Sequence, residues 1–568
     1  MQPLTDLEVL IVDCQATAAS SRGHLMEVGW ATTGAGAGAD ADGQVGAGAA
    51  IRNVRACLIK LPEGERVPFA VARITGISEA MLQEGIEPAD AWHALVDQAS
   101  RLARQPAPTV IHFARFERPF LHALSGDQLP PLDLVCTHDI AQRLLPDLPR
   151  RGLRALTGYF GRDLGPLRRS AEHVEATAFV WRALVQLLDE QGITTWDALR
   201  DWLATPSATA LRPGQQRRRV WPMPRDVRLA APDAPGLYRM QRTDGSVLYV
   251  GKASSLRSRV NSYFRKQRGV PDRLLEMLSQ ARALTCEVTE STLEAALLEP
   301  DEIKRHRPPY NIALMEEERH IWFTTRDLGE RSAERSARHP IGPFTSAMTL
   351  DRFAALANAS PTALGLGPDT PDARVFAEGY ARFCATHPEL SHEAHGMGHG
   401  EHLNPRIRLL HVGTRLWREG RRDRESAADE EFRLGDDVMP EEIQSDLERV
   451  ALRAALARRR AKWVTRLVDA AIVWQEPGAD RARLIVIQHG EIITREWVDP
   501  DTAPPVPPGH ARRRDARHEG FTVARFDRLR VLMTELKRLL AEGAPVALRL
   551  GERPALTGAR LAAALAWV

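Results

Sequence analysis

The chain has 568 residues, too many for one hydrophobic core, so three or four domains are expected. With 43% hydrophobic and 26% charged residues it has the composition of a globular protein. A net charge of +2, from 76 basic and 74 acidic side chains, excludes a chain-wide polycation, so any surface for nucleic acid must be local.

Met1–Leu10 has no basic start and no long apolar run, and no apolar stretch approaches about 18 residues, so neither a signal peptide nor a membrane span is expected. Five widely spaced cysteines (Cys14, Cys57, Cys136, Cys286, Cys384) without a Cys-x-x-Cys pair argue against a zinc ribbon or disulfide framework and suit a reducing cytoplasm. Residues 1–204 alternate short apolar runs with helical patterns, the signature of an α/β domain: Leu7–Cys14 and Thr109–Phe113 are strand-like, Ala91–Ala103 and Val174–Leu188 helical. The Gly/Ala stretch from Gly34 to Ala50 is low-complexity and predicts a flexible excursion. Residues 205–230 are rich in Pro and Arg without periodicity, a basic linker.

A third segment, 231–314, opens with Pro235-Gly236-Leu237-Tyr238, turns at Asp244-Gly245 and returns through Val247-Leu248-Tyr249-Val250-Gly251, which predicts a hairpin. A helix carrying Leu256, Arg257, Arg259 and Val260 follows, capped by Ser254 or Ser255. Leu293–Glu299 is a second helical stretch, and Arg307-Pro308-Pro309-Tyr310-Asn311 closes the segment. Beyond it, 315–430 reads as a helical region with a His-rich loop (His387, His392, His395, His399, His402), and 431–568 as helical or α+β. Its strongest helix is expected over Pro440–Val473, with a basic run of Arg453, Arg458, Arg459, Arg460, Lys462 and Arg466.

These residue types suit phosphodiester hydrolysis. A lone carboxylate such as Glu299 can anchor a divalent cation whose shell is completed by water. The planar, always-charged fork of Arg259 can clamp the charge that gathers in the transition state. A tyrosine can serve as base only if a cation, Lys252 or the metal, draws its proton away.

Gly-Leu-Tyr, then Tyr-Val-Gly-Lys-Ala-Ser-Ser-Leu-Arg-Ser-Arg, then Leu-Leu-Glu and Pro-Pro-Tyr-Asn resemble the GIY-YIG nuclease domain in the form found in the excinuclease subunit UvrC and its short relative Cho. The resemblance implies Tyr249 as general base, Glu299 as metal ligand and Arg259 on the scissile phosphate. It also implies that Lys252 tunes Tyr249 and that Tyr238 and Asn311 position water and phosphate, with Mg²⁺ or Mn²⁺ as cofactor. Pro300-Asp301 departs from the family, which places Asn after the catalytic Glu.

The order Asp13-Cys14-Gln15, Met26-Glu27, Ile111-His112-Phe113-Ala114-Arg115-Phe116-Glu117 and Arg168 through Ala178 resembles the DnaQ-type exonuclease, a ribonuclease H-like fold. That family holds two cations with four carboxylates and uses a His base. Here Gln15 replaces a Glu, Glu117 an Asp, Arg168 the His and His173 the last Asp, so too little negative charge remains for two divalent ions. The resemblance therefore implies an exonuclease fold with a degenerate site.

Gly342-Pro343-Phe344-Thr345-Ser346 resembles the short element after the UvrC nuclease domain, but of the cysteines in the segment beyond it only Cys384 is present, so no iron–sulfur cluster is expected. The fold class expected is multidomain α/β: a ribonuclease H-like domain, a small α/β GIY-YIG domain and a mainly helical carboxy-terminal region. The expected function is metal-dependent incision of damaged DNA in excision repair, with DNA and a damage-loading repair protein as partners. Two rivals are a bifunctional exonuclease–endonuclease and a non-catalytic nucleic-acid scaffold.

Overall fold

The run Val9–Val12 is apolar at every position, as a strand covered on both faces must be, and in the computed structural model it lies at the centre of a five-stranded sheet. Residues 2–18, 23–34, 51–126, 131–162, 165, 167–206, 219–265, 269–311, 320–357, 371–390, 404–420, 439–476, 478–507 and 521–566 are described. The Gly/Ala stretch over 35–50, most of the basic linker and the histidines His392, His395, His399 and His402 lie outside them. The chain forms two compact units, Met1–Thr289 with His306–Ile312, and Glu290–Arg305 with Ala313–Val568.

In the first unit the strands β1 (Glu8–Ala16), β2 (Leu25–Gly34), β3 (Arg52–Leu58), β4 (Ala107–Ile111) and β5 (Leu132–Cys136) take the order β3-β2-β1-β4-β5. β1 to β3 are antiparallel, and β4 and β5 run parallel to β1. This is the ribonuclease H-like α/β arrangement expected from the sequence. Helices α1 (Phe69–Thr75), α2 (Glu79–Gln83), α3 (Pro88–Ser100), α4 (Ala114–Ser125), α5 (Thr137–Leu144), α6 (Leu153–Tyr159), α7 (Ser170–Glu190) and α8 (Trp196–Ala204) surround it. Alternation along β1 divides the core: Val9 and Ile11 face Trp181 and Leu184 of α7, whereas Leu10 and Val12 join Trp92 of α3 and Phe120 of α4.

The same unit continues through α9 (Arg225–Leu229), β6 (Gly236–Gln241), β7 (Val247–Ala253), α10 (Leu256–Arg265), α11 (Asp272–Gln280) and β8 (Ala283–Val288). The three strands form an antiparallel sheet, β7-β6-β8. Gly245 takes φ 83° at the hairpin turn, where a side chain would be strained. α11 docks on α6. The backbone N–H of Arg150 donates to the Ser279 hydroxyl at 2.9 Å, Arg150 pairs with Asp272 at 3.1 Å, and Arg282 sits 4.4 Å above the Tyr159 ring. A Cβ at Gly158 would overlap the Gln280 side chain, so only glycine permits this approach.

The second unit begins with α12 (Thr292–His306) and continues through a small sheet, β9 (Trp322–Thr324), β10 (Arg331–Ser332) and β11 (Ile341–Phe344). Helices α13 (Ala347–Ala357), α14 (Pro371–Thr386), α15 (Pro405–Arg418) and α16 (Pro440–Leu467) share one core. A second sheet is formed by β12 (Ala470–Trp474), β13 (Ala482–Gln488), β14 (Glu491–Val498), β15 (Val546–Leu550) and β16 (Leu556–Thr557), in the order β14-β13-β12-β15-β16. α17 (Val523–Ala541) and α18 (Gly558–Leu565) pack on it. The helix expected over Pro440–Val473 thus stops at Leu467. Past Asp469 the chain reads Ala-Ala-Ile-Val-Trp, all buried, and the β-branched and aromatic side chains fit a central strand.

The segment 231–314 contributes to both units, because α12 belongs to the second. Leu293 and Leu297 lie in the core of Trp463, Ile472 and Leu532. Glu294 pairs with Arg483 of β13, their side chains 5% and 7% exposed. Lys304 meets the fully buried Asp527 of α17 at 2.8 Å, and Arg528 donates to Asp301 at 2.9 Å. Glu294→Ala would leave Arg483 charged and unpaired in a dry setting. We predict a loss of about 3 to 5 kcal/mol in chemical unfolding of the second unit. An unchanged midpoint would show that the pair contributes nothing.

Candidate nuclease sites

The hairpin register sets Tyr238 opposite Gly251 and Met240 opposite Tyr249, so the two tyrosines are diagonal neighbours on one sheet face. Their ring centroids are 6.1 Å apart. Gly251 allows this, because a Cβ there would strike both rings. The Ser255 hydroxyl caps α10, accepting from the Ser258 N–H at 3.1 Å, and the helix brings Arg259 and Tyr263 to the same face. Tyr263 lies 6.2 Å from Tyr238 and 6.3 Å from Tyr249, ring to ring. Its hydroxyl shares a 2.6 Å hydrogen bond with that of Tyr238, and the Arg259 guanidinium sits 5.1 Å above its ring.

Electrostatics sort these groups. Burial first, then Tyr263 and Tyr249, hold the Tyr238 phenol well above its ordinary pKa, so it remains a neutral hydroxyl. Burial acts to lower the pKa of Arg259, yet the surrounding phenols more than offset this and its charge is secure. Tyr263 was not singled out in the sequence. Its signal was the spacing of four residues from Arg259, which places both on one helical face.

The other expected residues of this site fall differently. Alternation along β7 sets Lys252 on the face opposite Tyr249, and the cation among the tyrosines is Arg259. Asn311 is buried and clips β7: it accepts from the Val250 N–H at 3.0 Å and donates to the Val250 carbonyl at 2.9 Å. Glu299 is half-buried on α12, in the second unit. Leu293, Leu297, Asp301 and Lys304 form the face of α12 held by that unit, and Glu299 stands about 120 to 160° from them around the helix. The departure at Pro300-Asp301 acquires a reason. The helix continues through Pro300, and Asp301 is the partner of Arg528.

In the amino-terminal fold, the end of β1, the start of α4 and the start of α7 bring Asp13, Gln15, Glu117 and His173 together. Glu27 of β2 fixes the first turn of α7 through Arg169 and by accepting from the Ser170 N–H at 2.8 Å. This leaves His173 Nδ1 3.3 Å from Asp13, whose other oxygen accepts from the Gln15 amide at 3.1 Å. Burial acts to lower the pKa of His173, but its hydrogen bond to Asp13 and that carboxylate's charge prevail and raise it. Burial, then the charge of Asp13, raises Glu117 well above the carboxylate range, so it holds its proton. Burial drives His112, which shares a 2.8 Å hydrogen bond with Thr137, down to about 3. Arg168 is exposed, its N–H donating to Glu172 at 2.5 Å. Phe113 precedes α4 in the left-handed region at φ 62°, a strained conformation for an aromatic residue.

Comparison with known proteins gives the first centre a context. Residues 234–312 match the family of UvrC-like GIY-YIG domains. A Mycobacterium tuberculosis protein named as a bifunctional exonuclease/endonuclease is 30% identical over 299 residues, covering 51% of this chain and 44% of its own. UvrABC system protein C of Sphingopyxis alaskensis is 42% identical over 135 residues, 22% of this chain and 21% of that one. The crystal structure of the GIY-YIG endonuclease domain of UvrC from Thermotoga maritima, bound to magnesium, aligns at 34% identity over 16% of this chain and 94% of that domain, with a TM-score of 0.14. The chain spans less than half the length of either curated relative. The tyrosine–arginine cluster and the segment that holds it, residues 234–312, belong to a UvrC-like GIY-YIG domain.

Proposed function

We propose that this protein is a metal-dependent DNA endonuclease, that 231–314 is its cutting domain, and that it incises damaged or distorted duplexes during excision repair in the cytoplasm. The observation that supports this most is the gathering of Tyr238, Tyr249, Tyr263 and Arg259 on one face of the hairpin. Arg259 holds the scissile phosphate and the charge that develops on it. Tyr249, half-buried like Tyr263, takes a proton from the attacking water once the cation beside it has drawn its own away. Tyr238, kept protonated, fixes Tyr263 beneath Arg259. Asn311 acts through β7, holding the Val250 backbone beside Tyr249, so it is a positioning residue.

Glu299 would hold the cation. A single half-buried carboxylate, turned away from the apolar face of α12, suits a hard divalent ion such as Mg²⁺ or Mn²⁺ that keeps several waters. Bound there, the ion would polarise the phosphate and stabilise the leaving oxygen.

We assign no exonuclease activity to the amino-terminal fold. Asp13 is engaged by His173 and Gln15, and these two stand in place of carboxylates, so two divalent ions would find only Asp13 and Glu117 where they need four.

Nicking of supercoiled DNA with Mg²⁺, Mn²⁺ or chelator tests the first reading. Glu299→Gln should abolish nicking while DNA binding survives. Tyr249→Phe and Arg259→Ala should each slow it by roughly 10² to 10⁴, the size of base and charge-clamp contributions. Wild-type nicking by Glu299→Gln would overturn the assignment.

Full-length Glu299→Gln should also release no mononucleotides from single strands. Release that stops on adding Asp13→Ala would make the protein bifunctional.

The imidazole NMR signal of His173, identified by its loss in His173→Gln, should titrate above the ordinary histidine value. In Asp13→Asn burial should prevail and the titration should fall below that value. The stability this pair supplies is present below the ordinary imidazole pKa and fades as pH rises through the raised one. An equal midpoint in both proteins would mean Asp13 does not hold the proton on His173.

A further inference from the structure

The basic run on α16 has a feature that a solvated helix face lacks. α15 and α16 approach most closely at Gly413, where a Cβ would collide with the Ala451 carbonyl. Beside that contact lies a cavity of about 280 Å³, lined among others by Trp417, Arg458, Arg459, Lys462, Trp463 and Arg466. Arg458, Lys462 and Arg466 recur every fourth residue and so form one stripe along the helix. None of the lining residues is acidic. Arg458 Nε is buried without a hydrogen-bond partner among the described residues.

Further cations deepen this field: Arg326 acts on Lys462, Arg418 on Arg459 and Arg553 on Arg466. Burial, then repulsion from Arg458, Arg466 and Arg459, pulls the Lys462 ammonium below its ordinary pKa. Like charges four residues apart on a helix are destabilising, and partial burial adds a desolvation cost. Such a stripe is relieved by an anion that meets several cations at once. A phosphate does this, taking arginine forks and a lysine point charge together. The volume is near the lower end for small-molecule sites, enough for one nucleotide. The half-buried indole of Trp417 adds an aromatic face, and base stacking on such a face contributes roughly 1 to 3 kcal/mol.

We propose that this cavity binds a nucleotide, with its phosphate on Arg458, Lys462 and Arg466 and its base against Trp417. The site lies wholly in the second unit and does not depend on the cutting reaction. The nucleotide comes either from a single strand of DNA or free in solution, and the two sources differ in the length of ligand preferred.

Calorimetric titration of the full chain in chelator, so that nothing is cut, decides this. The probes are inorganic phosphate, thymidine, thymidine 5′-monophosphate and a 5′-phosphorylated thymidine tetramer. The monophosphate or the tetramer should bind, and thymidine should not. A tetramer at least tenfold tighter than the monophosphate identifies a DNA strand as the source; comparable affinities identify the free nucleotide.

Lys462→Gln and Arg466→Gln should each weaken binding at least tenfold. Lys462→Gln should melt no lower than wild type, because it removes a repelled cation. Lys462→Arg should keep the affinity. Trp417→Ala should weaken the nucleotide while leaving the weaker binding of inorganic phosphate unchanged. No heat with any phosphate ligand, or wild-type affinity in both glutamine variants, would overturn the proposal.

Discussion

The burial of one face of α12 in the second unit is the constraint on which the rest depends. Two apolar side chains, Leu293 and Leu297, would hold a helix against a sheet in several registers, since a slide of one turn replaces one leucine by the other. The ion pairs remove that freedom. Glu294 meets Arg483 and Lys304 meets Asp527 across ten residues of helix, so any slide or rotation breaks both and separates buried carboxylates from their cations. Buried pairs of this kind add little net stability, because desolvation offsets most of their attraction, but separating the partners is costly. In α12 they act as a register lock, and the residue whose place they fix is Glu299.

The same electrostatics give opposite results at the two centres. In the GIY-YIG domain three phenols gather around Arg259, one of them kept protonated by burial, and the guanidinium keeps its charge for a phosphate. In the amino-terminal fold the anion a metal would need is already countered. His173 stands at the position of a carboxylate and supplies the positive charge itself.

What was legible in the sequence was whatever depends on local spacing. The Asp-Gly hairpin, the cap at Ser255 and the helix over Val174–Leu188 all follow from short-range pattern, whereas the meeting of Asp13 with His173 was implied by the family resemblance alone. What was not legible depends on partners distant in sequence. Asp301 looked like an aberration until Arg528, 227 residues later, came to lie beside it. Asn311 looked like a phosphate ligand, yet both ends of its amide are taken by Val250. Lys252 was set beside Tyr249 by closeness in sequence, while pleating separates their faces. The end of α16 was missed because an alanine-rich turn continues the helical pattern into the strand that begins at Ala470.

The amino-terminal fold has a use that needs no metal. The α6–α11 contact makes it one compact unit with the hairpin, and the contact reaches the segment that closes the nuclease domain. Arg154 of α6 lies 5.6 Å from the centre of the Tyr310 ring and 3.6 Å from Glu276, which accepts the Tyr310 hydroxyl proton at 2.6 Å. Gln280, the side chain that Gly158 admits, donates to the same hydroxyl at 2.5 Å. Tyr310 is thereby held between the two domains, and the next residue, Asn311, clips β7 beside Tyr249. A chain of partly buried polar contacts therefore runs from the exonuclease-like fold to the strand that carries the proposed base. Losing that fold would take Arg154 away from Tyr310 and Glu276 and leave the Tyr310 hydroxyl bonded to Glu276 and Gln280 of α11.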